Sequence, residues 1–153
     1  MNRKPLKRHV ALQPLSREHH FGLLLSWKIR KGITKKIPIE RIKSYVVWFY
    51  KHHLIPHFQI EEKHIFTVLG NEHKLVVKAL QDHKEIQDLI LTEEYSIDHL
   101  HKIEKKIVAH IRFEERILFT ELQKIATKTE LEKIEHIHKP TPFLDCETDV
   151  FWK

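Results

Sequence analysis

The chain has 153 residues, enough for one domain around a single sizeable core. With 3 glycines and 6 prolines it lacks the turn residues that a many-stranded β-sandwich or barrel needs every few positions. The 27 basic against 21 acidic residues give a net charge of +6, which permits an anionic partner without demanding one.

The apolar pattern predicts a succession of helices. Residues 15–31 form the first, with Leu15, His19, Gly22, Leu23, Ser26 and Trp27 on one face at 3.6 spacing and Gly32 as its stop. Pro38 opens a long second helix reaching Leu69, with Val46, Phe49, Tyr50, His53, His57, Ile60, Glu61 and His64 on one stripe and a kink at Pro56. Gly70-Asn71 closes it and caps a third helix, whose inward residues are Val76, Leu80, His83, Gln87 and Ile90. Thr92 or Ser96 caps a fourth that runs to about Ala126, with Leu100, Ile103, Ile107, His110, Glu114, Ile117 and Leu118 inward. A short fifth helix follows over 129–138, and the tail from Pro140, with Phe143, Phe151 and Trp152, reads as an extended strap. The expected fold is therefore all-α. A single domain spans 1–153, an up-down-up-down four-helix bundle over about 15–126 with a short C-terminal helix and strap over 129–153.

The chemistry lies in an internal repeat. Residues 57–69 read HFQIEEKHIFTVL and residues 110–122 read HIRFEERILFTEL, with six of thirteen positions identical. Each copy sets a His and a Glu at i and i+4 on one helix face, a chelating spacing: His57/Glu61 and His110/Glu114. The first and third helices add Glu18-His19 and Asp82-His83. Counting residues from the turns puts four His and two Glu near one height of an antiparallel bundle. Two buried carboxylates facing each other are costly unless cations neutralise them. Two metal ions bridged by both Glu meet this requirement, each with two imidazoles and two carboxylate oxygens. A mixed imidazole and carboxylate set suits iron, with manganese or zinc as alternatives.

The patterns EHH in the first helix, HFQIEEKHIF in the second, DH in the third and HIRFEERILF in the fourth resemble the haemerythrin-like, or HHE cation-binding, domain over residues 9–126. The resemblance implies that His19, His57, Glu61, His83, His110 and Glu114 bind two iron ions, oxo- or hydroxo-bridged. Two departures stand out. The third helix has Ala79 and Gln87 around His83 where oxygen-carrying haemerythrins have a second His, and the fourth has His110-x-x-x-Glu114 in place of H-x-x-x-x-D. They favour the branch of the family associated with nitric oxide or oxygen stress, iron handling or sensing.

Other residues carry lesser expectations. His19 competes with His20 as the first-helix ligand; Leu15, Leu23 and Ser26 on its face favour His19. His53 and His64, one turn either side of the second-helix ligands, read as neighbours of the ligands or as lining of a ligand pocket, with His53 facing a bound small molecule. Glu62 and Glu115 point away from their ligand neighbours and are expected to pair with Lys or Arg. His52, His73, His99, His101, His136 and His138 are expected at the surface. The pocket is expected to be small, crowded by Val76, Leu80, Ile103 and Ile107.

The expected function is a non-haem di-iron protein that binds, senses or processes O2, NO or peroxide, or handles iron, with an electron donor or signalling partner that the sequence does not name. The competing expectation is a metal-free basic helical bundle that binds nucleic acid or a partner protein. It requires an apolar interior and outward Lys/Arg, whereas this pattern turns His and Glu inward, so nucleic acid is not an expected partner. One Cys precludes an internal disulfide, and no apolar run reaches the roughly 18 residues of a membrane span. Polar residues from Gln13 to His20 interrupt any leader-like apolar segment. A cytoplasmic protein with no membrane partner is expected.

Overall fold

The computed structural model describes residues 7–139 and 142–153. Among the described residues there are five helices and no strand. A 3-10 turn, Val10–Leu12, leads into α1, Gln13–Thr34. α2 covers 39–69. It is continuous but irregular: Ile39–Phe49, Ile55–Ile60 and Phe66–Leu69 are α-helical, and Tyr50–Leu54 and Glu61–Ile65 are wide π-helical turns. α3 is Lys74–Ile90. α4 covers 97–125, with Ile97–Phe113, the π-helical turn Glu114–Leu118 and Phe119–Ile125. α5 is Lys128–Ile137, and residues 142–153 run without helix. The expected start of the strap at Pro140 lies outside the described residues.

Several boundaries differ from expectation for local reasons. Gly32 does not stop α1, which continues to Thr34; the chain turns at Lys36, which has a positive φ of 58°. Gly32 instead allows close approach, because a Cβ there would lie 2.7 Å from Phe151 and 2.8 Å from Ile42. Gly70, at φ 93°, does close α2, but His73 rather than Asn71 caps α3, its Nδ1 accepting the Leu75 N–H. Ser96, not Thr92, caps α4 through the His99 N–H. Thr127 and Glu130 form a reciprocal capping box at α5. The inward stripes are shifted as well. Leu23, Trp27, Gln87 and Ile117 are exposed, while Leu25, Ile29, Ala79 and Ile86 are buried.

α1 packs along α4, and α3 also packs on α4. The interior has two apolar clusters. α1 leaves the one containing Leu15, Phe66 and Phe119 and enters the one containing Leu25, Phe49 and Ile107. α2 runs the opposite way, from Val46 and Phe49 to Ile65 and Phe66. α3 runs from Val76 to Ile86 and Ile90, and α4 from Leu100 and Ile107 to Leu118 and Phe119. Each of these four helices therefore crosses between the clusters, and there each carries polar residues: His19, His57 and Glu61, His83, and His110 and Glu114. The strap closes one side. Phe151 is buried in the cluster of Leu25, Phe49 and Ile107, and Phe143, Cys146 and Trp152 pack against it.

The strap is fastened by a residue that its sequence context does not single out. Lys28 is buried on α1, with its Nζ 2.8 Å from the Tyr45 hydroxyl, 2.6 Å from Asp145 and 3.9 Å from the Trp152 ring centre. An ammonium can be buried there because a carboxylate and an aromatic face replace its water.

Candidate metal centre

Six side chains from four helices meet between the apolar clusters: His19 (α1), His57 and Glu61 (α2), His83 (α3), His110 and Glu114 (α4). All six are nearly inaccessible, and Glu61 and Glu114 are fully so. His20, the alternative to His19, is exposed. The expected convergence of His83 with His110 is met by the late start of α4 at Ser96, and their ring centres lie 4.9 Å apart.

All four imidazoles turn Nε2 inward. His57 and His83 place it 3.2 Å from Glu61 Oε1, and His110 places it 3.1 Å from Glu114 Oε1. His19 Nε2 lies 3.0 Å from Glu114 Oε1 and 3.8 Å from Glu61 Oε2. Yet Nε2 of His57, His83 and His110, both oxygens of Glu61 and one of Glu114 are buried without a hydrogen-bond partner. Leaving so many buried polar atoms unmade is expensive. Donors about 2.1 Å from one metal ion and at right angles to each other are about 3.0 Å apart, so the inward atoms stand at a spacing that suits a coordination shell. Two sets of four satisfy mutual proximity within 4.8 Å: His19, His57, Glu61 and Glu114, and Glu61, His83, His110 and Glu114. The sets share both carboxylates. The buried cluster can hold a metal ion.

The outward nitrogens are as ordered as the inward ones. His19 Nδ1–H donates to Glu115 at 3.0 Å, His57 to Glu18 at 2.7 Å, His83 to Glu62 at 2.8 Å and His110 to Asp82 at 3.0 Å. Each carboxylate adjoins a cluster residue in sequence, yet it serves the imidazole of another helix. The order is cyclic: α1 serves α2, α2 serves α3, α3 serves α4 and α4 serves α1. A carboxylate on Nδ1 fixes the tautomer that leaves the Nε2 lone pair free to ligate and raises its basicity.

The structure corrects two of the surface expectations, for Glu62 and His138, and adds a second partner to a third, Glu115. Glu62 pairs with His83, not with Lys or Arg. Glu115 binds His19 as well as Arg8, whose guanidinium is 3.2 Å away. His138 is half-buried at the end of α5 and donates to the second oxygen of Glu18 at 2.9 Å. The sequence signal for the ring was the acid beside each ligand: Glu18, Glu62, Asp82 and Glu115.

Charge follows from the geometry. Burial opposes a proton on His57, but the Glu61 and Glu18 carboxylates outweigh it and hold the imidazole well above its ordinary range. Burial likewise opposes His110, and Glu114 with Asp82 draws it up to about 9. Burial would raise the Glu18 carboxyl, but the bonds from His138 and His57 bring it down to about 2. The cluster thus attracts positive charge at its centre, where protons and metal ions compete for the same nitrogens.

His53 and His64 stand apart from these six. His53 Nε2–H donates to the Leu144 carbonyl at 3.1 Å, and its ring lies against Phe143, so it holds the strap rather than facing the cluster. His64 is half-buried on α2. Both line a cavity of about 700 Å3 whose floor includes His19, His57 and His110. The expected small pocket is not what forms. Ile107 lines the cavity, but Val76 and Ile103 are buried in the apolar clusters, and Leu80 packs beside Val76's. Among the described residues no helix is long and apolar enough to cross a membrane. No family model, no curated protein and no solved structure matches this chain.

Proposed function

We propose that this chain is a haemerythrin-like di-iron protein, folded as an up-down-up-down four-helix bundle, that binds, senses or processes O2, NO or peroxide, or handles iron. The single observation that carries the reading is the pair of overlapping four-residue donor sets that share Glu61 and Glu114. Shared carboxylates between two imidazole pairs suit two ions held side by side. The alternating passage of the helices between the two apolar clusters supports the bundle topology.

His19 and His57 would hold one ion and His83 and His110 the other, with Glu61 and Glu114 reaching both. Bound iron would supply redox chemistry and coordination positions that six protein side chains do not fill. The chain's own contribution is electrostatic and positional. Glu61 and Glu114, both fully buried, would offset the charge of the ions. Glu18, Glu62, Asp82 and Glu115 keep the four rings aimed inward and hold a proton on each Nδ1.

Elemental analysis of protein produced in iron-rich medium, with visible spectra before and after anaerobic reduction and addition of O2, NO or azide, tests the proposal. Two irons per chain and a spectrum that answers to a small ligand are expected. A folded protein with no metal removes it, and two irons that ignore all three ligands remove the small-ligand reading and leave iron handling.

A further inference from the structure

The 700 Å3 cavity beside the cluster is far larger than a diatomic ligand needs. One water occupies about 30 Å3 of liquid, and cavities that enclose organic ligands span roughly 300–1,000 Å3. Its walls are mainly apolar, formed by Phe49, Phe58, Ile86, Ile107 and Ile111. The strap roofs it: Phe143 stacks on Phe21 at 4.3 Å, and His53 holds the Leu144 carbonyl.

The polar lining is one-sided. Among the described residues the sole acid in the lining is Glu18, and both its oxygens are engaged, by His57 and His138. Basic groups are more numerous. Lys63 is exposed at the edge and pairs with no acid among the described residues, and His64 beside it is half-buried. An apolar chamber with an unneutralised cation at its edge is complementary to a molecule with an apolar body and one negative end.

We propose that this cavity binds a medium-chain aliphatic monocarboxylate, its chain among Phe49, Phe58, Ile107 and Phe143 and its carboxylate at Lys63 and His64. The inference stands on the cavity and its charge, not on the metal reading. It concerns binding, and no reaction of the carboxylate is implied.

Calorimetric titration with decanoate, decanol and decylamine tests it, on protein as purified and on protein stripped by a chelator. Decanoate should bind once per chain in both forms and at least tenfold more tightly than decylamine. Lys63→Glu, at an exposed position, should weaken decanoate at least tenfold and leave decanol unchanged. Lys35→Glu, at the exposed turn after α1, should change neither. Phe143→Ala should weaken decanoate and decanol together. No decanoate binding overturns the inference, as does decylamine binding as tightly as decanoate or a Lys63→Glu variant that matches Lys35→Glu. So does binding lost on stripping but indifferent to Lys63, which places the carboxylate at the cluster. Decanoate binding to a chain that elemental analysis shows to be metal-free sustains this inference while removing the di-iron reading. Two irons without decanoate binding do the reverse.

Discussion

Glu62 of α2 accepts the Nδ1–H of His83 from α3 at 2.8 Å, although its neighbour Glu61 faces the opposite nitrogen of the same imidazole at 3.2 Å. Two consecutive glutamates thus grip one ring from both sides. The outer one is half exposed, with 44% of its side chain accessible, so it can be changed without opening the core. Glu62→Gln should retain the fold and lower metal affinity about 10–100-fold, since an outer carboxylate fixes the ligating tautomer. Asp82→Asn should lower affinity through His110 as well, with some loss of stability because Asp82 is buried against Lys78 and Lys106. Competition titration against a coloured chelator, with circular dichroism as a check on folding, measures both. Unchanged affinity in the two variants would mean that the imidazoles orient themselves.

Glu61 and Glu114 are shared by both donor sets, so either loss should affect both ions. Glu61→Ala or Glu114→Ala should leave less than one metal per chain by elemental analysis. Finding two would contradict the bridging role. His19→Ala should reduce metal content, and His20→Ala, at an exposed position, should not.

Metal removal should lower the melting temperature without abolishing helicity. The two apolar clusters keep the helices associated, while four imidazoles and two carboxylates are left facing each other. At a free metal concentration 100 times Kd, an ion binding the native state alone adds about 2.7 kcal/mol. For a chain of this size that is a shift of about 5–10 °C. Thermal scans with and without chelator read it, and identical midpoints would show that the cluster carries no conflict for a cation to relieve.

Much of this was legible in the sequence. The repeated His-x-x-x-Glu-Glu segments and the Glu-His and Asp-His pairs named the six converging residues, because i, i+4 spacing on one face survives any plausible packing. The outer ring is not legible in the same way. Glu62 and Glu115 lie about 100° around their helices from Glu61 and Glu114, which looks outward on an isolated helix but faces a neighbour once helices pack. The wide turns that begin at Glu61 and Glu114 leave no mark in apolar periodicity either. Lys28 was invisible for a different reason: its partners Asp145 and Trp152 lie more than a hundred residues away on the strap.

Gly32→Ala should loosen that strap. The added methyl would press on Phe151 and Ile42 at under 3 Å, an overpacking cost of about 1–3 kcal/mol. Phe151 sits on a segment without helix and is the part able to yield. A lower melting temperature with faster proteolysis near the C-terminus is expected. Equal melting and equal protection would show that the contact is easily relieved.

Acid should release the strap by another route. Burial would raise the Asp145 carboxyl, but the Lys28 and Tyr45 bonds hold it below its ordinary range. A carboxylate depressed in the folded state stabilises fully above its unfolded pKa of about 4 and loses that contribution as pH falls toward the folded value. Trp152 stands on this pair, so its fluorescence should change below about pH 4. Asp145→Asn should show the acid-state signal already at neutral pH and cost about 1–3 kcal/mol. A wild-type signal flat down to global acid unfolding would remove the assignment.

The cyclic ring of carboxylates also sets an order of events during synthesis. Three of its links join helices that are neighbours in sequence, but the fourth, from His19 to Glu115, spans 96 residues. A ribosome that has made α1, α2 and α3 has exposed three imidazoles and one inward carboxylate, with the ring still open. His19 gains its orienting partner only once residue 115 has left the exit tunnel. The closing contact is thus the most distant in the ring, the kind that forms late because its loop entropy must be met first. A nascent chain is thereby kept from assembling the whole cage around an ion before the helix that completes it exists.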